Sequence, residues 1–354
     1  MAQSPLSKQP AISDQLHRWL GDTLLKLSLT TADSTAETYS ASSDEQITLK
    51  ALQAEASFRQ FYRVLGATRP LVLMDSPPAK ENNRQFVAVA KAFQSSGIKV
   101  PEVLAHEEDQ GWLLLTDLGS THFIDAYKEG MATNCLNGAI QTLAQISAVD
   151  APCIPDYTSE RLSDELNIFI EWTIAKACDV AFPEHLFEGV RNTLLDNAAD
   201  QQKVCVHRDF HCKNLLYSDT AIGVLDFQDA LRGPAGYDLA SLLHDCYWQF
   251  SDADINQVLR NLPESMPPIT RRAIDLLAVQ RQLKALGIFT RLALRDGKIS
   301  HLSYIEPVLE RLGRLCYNYP ECRALGVWLK DELTEPALAW VVKTKSNHHL
   351  TAAQ

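Results

Sequence analysis

The sequence predicts an α+β protein of two lobes: a five-stranded antiparallel sheet with one crossing helix, then a larger and mostly helical lobe. Three observations carry this. The chain has 354 residues, more than one hydrophobic core usually spans, which implies about two domains. Up to residue 118 short β-favouring runs alternate with Gly, Pro or polar breaks. From Gly119 onward apolar residues recur at three- and four-residue intervals. The expected division is therefore a lobe of 1–118, with a lead-in helix, and a lobe of 119–354.

Taken in order, Ser13 is placed to cap a helix whose apolar face is Leu16, Trp19, Leu20, Leu24 and Leu27. Residues 30–46 are polar, and Ile47–Leu52, Phe61–Leu65 and Leu71–Met74 read as three strands of a meander. Glu81–Gln94 sets Phe86, Val89, Ala90 and Phe93 on one helical face and stops before Gly97. Val100–His106 and Trp112–Thr116 flank a polar turn and predict a hairpin. Helices are expected around Leu136–Ile146, Leu162–Ala175 and Leu186–Leu195. Three short apolar runs follow, Val204–Val206, Leu215–Tyr217 and Ile222–Leu225, and then helices over Tyr237–Tyr247, Ile269–Leu286 and Tyr304–Tyr317. The tail after Leu333 ends polar and is expected to fray.

Composition narrows the function. A net charge of -11 leaves no basic footprint for duplex nucleic acid or an anionic membrane. The start MAQSPLSKQP lacks an apolar signal core, and no later run has membrane-spanning length. The eight cysteines form no CxxC pair, so a reduced, cytoplasmic, soluble chain is expected, with Cys205 and Cys212 as packing residues.

Chemical character concentrates between the short apolar runs. His207-Arg208-Asp209 is followed by Asn214, and an apolar run leads into Leu225-Asp226-Phe227. Phosphoryl transfer from Mg-ATP needs a carboxylate to take the acceptor hydroxyl's proton, plus an amide oxygen and a second carboxylate to hold magnesium against the phosphates. The spacing allows all three to converge; the bland alternative, loop caps, is the common fate of a lone Asp but fits this set poorly.

This set resembles the catalytic-loop and metal-loop signature of the protein-kinase-like superfamily. His211 and Gly236-Tyr237-Asp238-Leu239-Ala240 resemble its aminoglycoside phosphotransferase branch. Ala56–Arg63, Leu73–Pro78 and Leu113–Gly119 are similar to segments of the cell-wall-recycling kinases that phosphorylate N-acetylmuramate and N-acetylglucosamine at the anomeric hydroxyl. The resemblance implies a bilobal fold, ATP and Mg2+ as cofactors, and an amino sugar as acceptor. It implies Asp209 as base, Asn214 and Asp226 as magnesium ligands, and Thr116 and Leu118 as backbone partners of adenine. His207 and Asp238 would support the catalytic loop, and His211 would do the same or face substrate.

Two departures stand out. The phosphate-covering segment Ala54–Arg59 has no glycine, leaving Ser57, backbone amides and Arg59 for the phosphates. The third strand, Leu71–Asp75, has no Lys, so either Arg59 or Arg63 replaces it or nucleotide binding is weak. Acceptor contacts are expected from Glu165, Glu171 and Trp172 on one helix and His244 and Asp245 on another, with core packing for Trp172 and a solvated face for Glu171 as competing roles. An aminoglycoside or choline-type kinase, and a nucleotide-binding regulator without kinase activity, are the alternatives.

Overall fold

A computed structural model describes residues 12–30, 47–52, 58–218 and 221–352. Ser57 and residues 31–46 therefore lie outside the described residues. The chain divides into two compact units, one drawn from Met1–Ala90 with Pro101–Gly119 and the other from Lys91–Val100 with Ser120–Gln354.

The first unit opens with α1 (Asp14–Lys26), capped by the Ser13 hydroxyl, which accepts the Leu16 N–H at 3.2 Å. Its Leu16, Leu20 and Leu24 are buried with Tyr62, Leu71, Leu73 and Leu114, and Trp19 tilts over Trp112 with ring centres 5.9 Å apart. The sheet that receives this face has β1 (Thr48–Leu52), β2 (Gln60–Leu65), β3 (Leu71–Asp75), β4 (Val103–Glu107) and β5 (Trp112–Thr116), all antiparallel in the order β1-β2-β3-β5-β4. The central strand β3 pairs Leu73 with both Tyr62 and Leu114, and its first four residues are buried, which is why it reads as a continuous apolar run. α2 (Asn83–Ser95) crosses between β3 and β4; Asn83 donates to the Ser76 carbonyl at 2.8 Å and accepts from its hydroxyl at 2.5 Å. β4 begins later than expected because Pro101 has no N–H for a ladder.

The second unit holds α3 (Phe123–Lys128), α4 (Ala132–Ser147), α5 (Ser159–Ile168), a π-helical turn pair over Phe169–Cys178, and α6 (Glu184–Ala199). The single helix expected over Leu162–Ala175 is thus two elements, closed by Asp179 in the left-handed region at φ 50°. Then come β6 (Lys203–Val206), β7 (Leu215–Leu216), β8 (Gly223–Val224) and β9 (Leu231–Pro234). β9 was not expected, since Gly233 and Pro234 read as breakers; Pro234 is tolerated because it ends the strand, opposite Lys203 on β6. α7 (Tyr237–Leu243), α8 (Asp252–Arg260), α9 (Arg271–Asp296), a 3-10 turn over Ser300–Tyr304, α10 (Ile305–Asn318), α11 (Pro320–Trp328), a second π segment over Leu329–Leu333 and α12 (Thr334–Ala352) complete it.

Two segments depart from the pattern expected of their sequence. The tail after Leu333 is helical through Ala352, with Leu333, Ala337 and Val341 buried at helical spacing. α7 ends at Leu243, four residues early, so His244 and Asp245 follow the helix rather than sit on it. α9 is the spine of the unit. It is buried on nearly all sides, and Gly287 lets it approach α5 so closely that a Cβ there would lie 2.6 Å from the Ile168 and Phe169 backbone. No helix of the described residues is long and apolar enough to cross a membrane.

Candidate active site

In the second unit β6 feeds directly into the loop His207–Asn214. Arg208 takes φ 79° and Asp226 φ 59°, both in the left-handed region. Such a backbone costs an L-residue on the order of 1–2 kcal/mol, so something must hold it. For Arg208 the holder is Asp238 at the start of α7: its carboxylate accepts the His207 N–H at 2.6 Å and the Arg208 N–H at 2.9 Å. Burial pushes the Asp238 pKa up, and these bonds and His207 counter it. From α9, Arg281 donates to the Arg208 carbonyl and stacks over Tyr237 at 4.9 Å.

The loop then closes on itself. The Asp209 carbonyl accepts the His211 N–H and the Asn214 Nδ2, each at 3.0 Å, and the Asn214 carbonyl accepts the Leu225 N–H at 2.9 Å. Asn214 Nδ2 lies 3.5 Å from Asp226 Oδ2. Asp209, Asn214 and Asp226 are thereby brought together. Phe227 packs on Phe93 with centres 5.9 Å apart, and the Val224 N–H donates to the Lys99 carbonyl, which fixes the strand that delivers Asp226.

The two carboxylates are pushed apart in acidity. Partial desolvation would raise Asp209, but Lys284, Arg281, His211 and Arg208 together hold it well below the usual carboxylate range. Arg281 Nη2 is 3.7 Å from its Oδ1. Asp226 is held above the ordinary range, first by enclosure in the surrounding chain and then, against the Gln228 hydrogen bond, by the charge on Asp209. Asp226 is electrostatically coupled to Asp209 and meets the Asn214 amide through its nitrogen; with that amide turned to present its oxygen, the two side chains are the hard oxygen donors that fit a divalent cation such as Mg2+.

Of the expected acceptor contacts, three turn inward. Glu165 is 6% exposed, binds Arg208 at 2.5 Å and Lys284 at 3.0 Å, and accepts from Gln280 at 3.2 Å and from the Tyr157 hydroxyl. His244 is buried against Asp275 at 2.8 Å. Asp245, 1% exposed, accepts the Cys212 N–H and the Tyr247 N–H, each at 2.8 Å. All three hold the frame of the site. Glu171 and Trp172 lie on the π-helical segment and share Lys176, 2.5 Å from the Glu171 carboxylate and 3.7 Å from the Trp172 ring centre, rather than the catalytic loop. Burial pushes Cys205 up to about 12 and Cys212 higher still, so both are unreactive thiols at neutral pH.

In the first unit Arg59 is buried in an ion pair with Glu81 at 3.0 Å, its guanidinium 5.8 Å from the Phe86 ring centre. Arg63 instead binds Asp117 at 2.5 Å, and Asp117 accepts the Gly119 N–H at 2.9 Å. The Thr116 N–H donates to the Glu102 carbonyl at 3.1 Å, while the Leu118 N–H makes no hydrogen bond among the described residues.

Arg281, Lys284, Tyr157 and Arg208 are the site residues that pattern reading missed. A signal existed: Gln280, Arg281, Gln282 and Lys284 interrupt an otherwise apolar stretch of α9, and polar side chains in a buried helix need partners.

Residues 48–272 match the model of the phosphotransferase enzyme family APH. The chain is 35% identical over 288 residues to an N-acetylmuramate/N-acetylglucosamine kinase of Pseudomonas aeruginosa, covering 77% of this chain and 85% of that protein. Among solved structures it is similar to a choline/ethanolamine kinase family protein from Mesorhizobium loti, with a TM-score of 0.59 at 16% identity over 90% of this chain and 97% of that one. It is also similar to an ADP-bound aminoglycoside phosphotransferase, with a TM-score of 0.54 at 11% identity over 85% and 97% of the two chains. With the matched segment reaching from β1 into α9 and enclosing the whole catalytic loop, the chain belongs to the APH phosphotransferase enzyme family and has its protein-kinase-like fold.

Proposed function

We propose that the protein is a cytoplasmic, ATP-dependent kinase that transfers the γ-phosphoryl group to the anomeric hydroxyl of N-acetylmuramate or N-acetylglucosamine, within peptidoglycan recycling. The observation that carries the acceptor is the 35% identity across 85% of a curated kinase of that name. In this reading residues 1–118 form the nucleotide-binding lobe and 119–354 the catalytic and acceptor lobe.

The chemistry follows from the loop. Asp209, ionised through its cationic neighbours, orients the sugar hydroxyl and takes its proton as the oxygen bonds to phosphorus and ADP leaves. Asn214 and Asp226 would hold Mg2+, which when bound neutralises charge on the phosphates. Arg281 and Lys284 keep Asp209 anionic, and Asp238 and His207 fix the loop that aims it. In the nucleotide lobe Arg59, already braced by Glu81, supplies the cation that the third strand lacks. Leu118, with Thr116 and Ser57, completes the nucleotide contacts.

ADP release with N-acetylmuramate, N-acetylglucosamine, kanamycin and choline as separate acceptors tests the proposal. Turnover with the two amino sugars and not with the others is expected. Turnover confined to kanamycin or choline would reassign the acceptor, and none with any acceptor would favour a nucleotide-binding regulator.

A further inference from the structure

The few accessible residues of α9 form one line. From Ile274 to Ala293 every residue is buried except Arg281, Ala285, Ile288 and Arg291. Spacings of four, three and three put these on a single helical face. The face starts at the proposed base, where Arg281 Nη2 is 3.7 Å from Asp209 Oδ1. An accessible stripe on an otherwise enclosed helix is the floor of an open cleft, and this one leads from Asp209 toward the C-terminal end of α9. Lys284, whose charge acts on Asp209 more strongly than any other, lies beside the stripe, and Arg291 follows it by seven residues, about 10 Å along the axis. Helical side chains tilt toward the N-terminus, so Arg291 leans back toward the base.

Arg291 is a cation without a partner. Its guanidinium makes no hydrogen bond or ion pair among the described residues, and its Nε is shut away from solvent with no acceptor. The two carboxylates that act on it are already engaged: Asp296 accepts from Arg295 through both oxygens, at 2.8 and 2.9 Å, and Glu171 binds Lys176 at 2.5 Å. Partial burial, and then the charge of Arg295, lower its pKa from the ordinary arginine value. A guanidinium partly withdrawn from water and left unpaired gains much from an anion that reaches it. Between it and the base the stripe is uncharged, with only Ala285 and Ile288, so the cleft floor is positive at both ends in a chain whose net charge is -11. Such a floor disfavours a polycation such as kanamycin.

Of the two amino sugars in the functional reading, N-acetylmuramate differs from N-acetylglucosamine by a lactyl ether that ends in a carboxylate. A sugar whose anomeric hydroxyl meets Asp209 can lay its ring along Ala285 and Ile288 and extend that arm toward Arg291. We infer that Arg291 binds a carboxylate carried by the acceptor sugar and sets the preference for an acidic over a neutral amino sugar. This rests on the functional reading above. The phosphates of ATP are a second source of anionic oxygen, and experiment separates the two.

The test is steady-state kinetics of the full chain with Mg-ATP and either N-acetylmuramate or its methyl ester, an acceptor of nearly the same shape without the charge. The wild type is expected to favour the acid at least about tenfold in kcat/KM. In Arg291→Met that ratio falls about tenfold, mainly through KM of the acid, as for loss of one charge-assisted hydrogen bond. Arg291→Lys, which keeps the charge, holds it within about threefold of the wild type. Ile288→Asp leaves Arg291 in place but sets a competing carboxylate three residues before it, and lowers the ratio at least about threefold. A wild type that treats acid and ester alike would overturn the inference. So would equal losses for both in Arg291→Met, the result expected of a phosphate contact or a purely structural role, and so would an unchanged ratio in both Arg291→Met and Ile288→Asp. Phosphorylation of N-acetylglucosamine but not of N-acetylmuramate overturns this inference and leaves the amino-sugar reading standing. A wild type that phosphorylates neither sugar overturns the functional reading itself, and this inference with it.

Discussion

The imidazole of His207 spans from the catalytic loop to the carbonyl of Leu225, the residue before Asp226: Nε2 donates to that carbonyl at 2.8 Å, while Nδ1 accepts the Asp209 N–H at 3.3 Å. Both bonds at once require the neutral ring with its proton on Nε2. Burial, which lowers the His207 pKa from 6.5, keeps it so. One side chain thus sets the register between the proposed base and the proposed metal carboxylate.

This arrangement has a pH signature. Because the folded pKa lies below the unfolded value of 6.5, the unfolded chain takes up the proton first as pH falls. The stability this site contributes is present above 6.5 and declines below it. The urea midpoint of the wild type should therefore drop more between pH 7 and pH 5.5 than that of His207→Gln, followed by near-ultraviolet circular dichroism. Parallel declines would remove His207 from this role.

Glu165 gives the complementary case. Burial would raise its pKa, but Lys284 and Arg208 bring it down to about 2 from 4.5. The corresponding stability is complete above 4.5 and lost as pH falls toward 2. Glu165→Gln should cost roughly 3 kcal/mol at pH 7, since about 1.4 kcal/mol attends each pKa unit and two buried cations lose their partner. The gap from wild type should narrow below pH 4.5. A gap independent of pH in urea titrations would show that packing, not charge, is what the substitution removes.

The two candidate arginines of the first unit should separate cleanly. Arg59→Met is expected to raise KM for ATP about tenfold, the size of one charge-assisted contact. Arg63→Met, which frees Asp117, should act mainly on stability, by up to about 1 kcal/mol for a partly exposed pair. ATP titrations and thermal melts of both variants check this, and the reverse pattern would exchange their roles.

At the catalytic loop, Asp209→Asn should lower kcat about a hundred- to ten-thousandfold, the range for loss of a positioned base, with near-wild-type melting. Asp226→Asn should instead raise the Mg2+ concentration for half-maximal activity at least about tenfold, because a neutral amide replaces a carboxylate donor. A magnesium titration that superimposes on the wild type would take Asp226 out of the metal site.

Much of this was legible from local pattern. The five strands and the crossing helix follow from period-two and period-3.6 runs bounded by Gly and Pro, and Asp209, Asn214 and Asp226 stand out because the signature is short and local. What local pattern does not show is long-range. Glu165 looked available to substrate because nothing in its own helix shows that Arg208 and Lys284 close over it from residues 43 and 119 positions away. Apolar periodicity continues to Tyr247 and so extends the predicted helix over His244 and Asp245, whereas hydrogen bonds from Cys212 and Tyr247 to Asp245 take the backbone elsewhere. β9 hid behind Gly233 and Pro234, where pairing with β6 overrides local propensity.

The most direct test of the central claim is phosphorus NMR of the product formed from Mg-ATP and N-acetylmuramate or N-acetylglucosamine, with the attachment carbon identified by phosphorus–proton coupling. The expected product is a monoester coupled to the anomeric proton, a sugar 1-phosphate. A phosphate on any other sugar carbon, or no sugar phosphate from either compound while kanamycin or choline is phosphorylated, would contradict it.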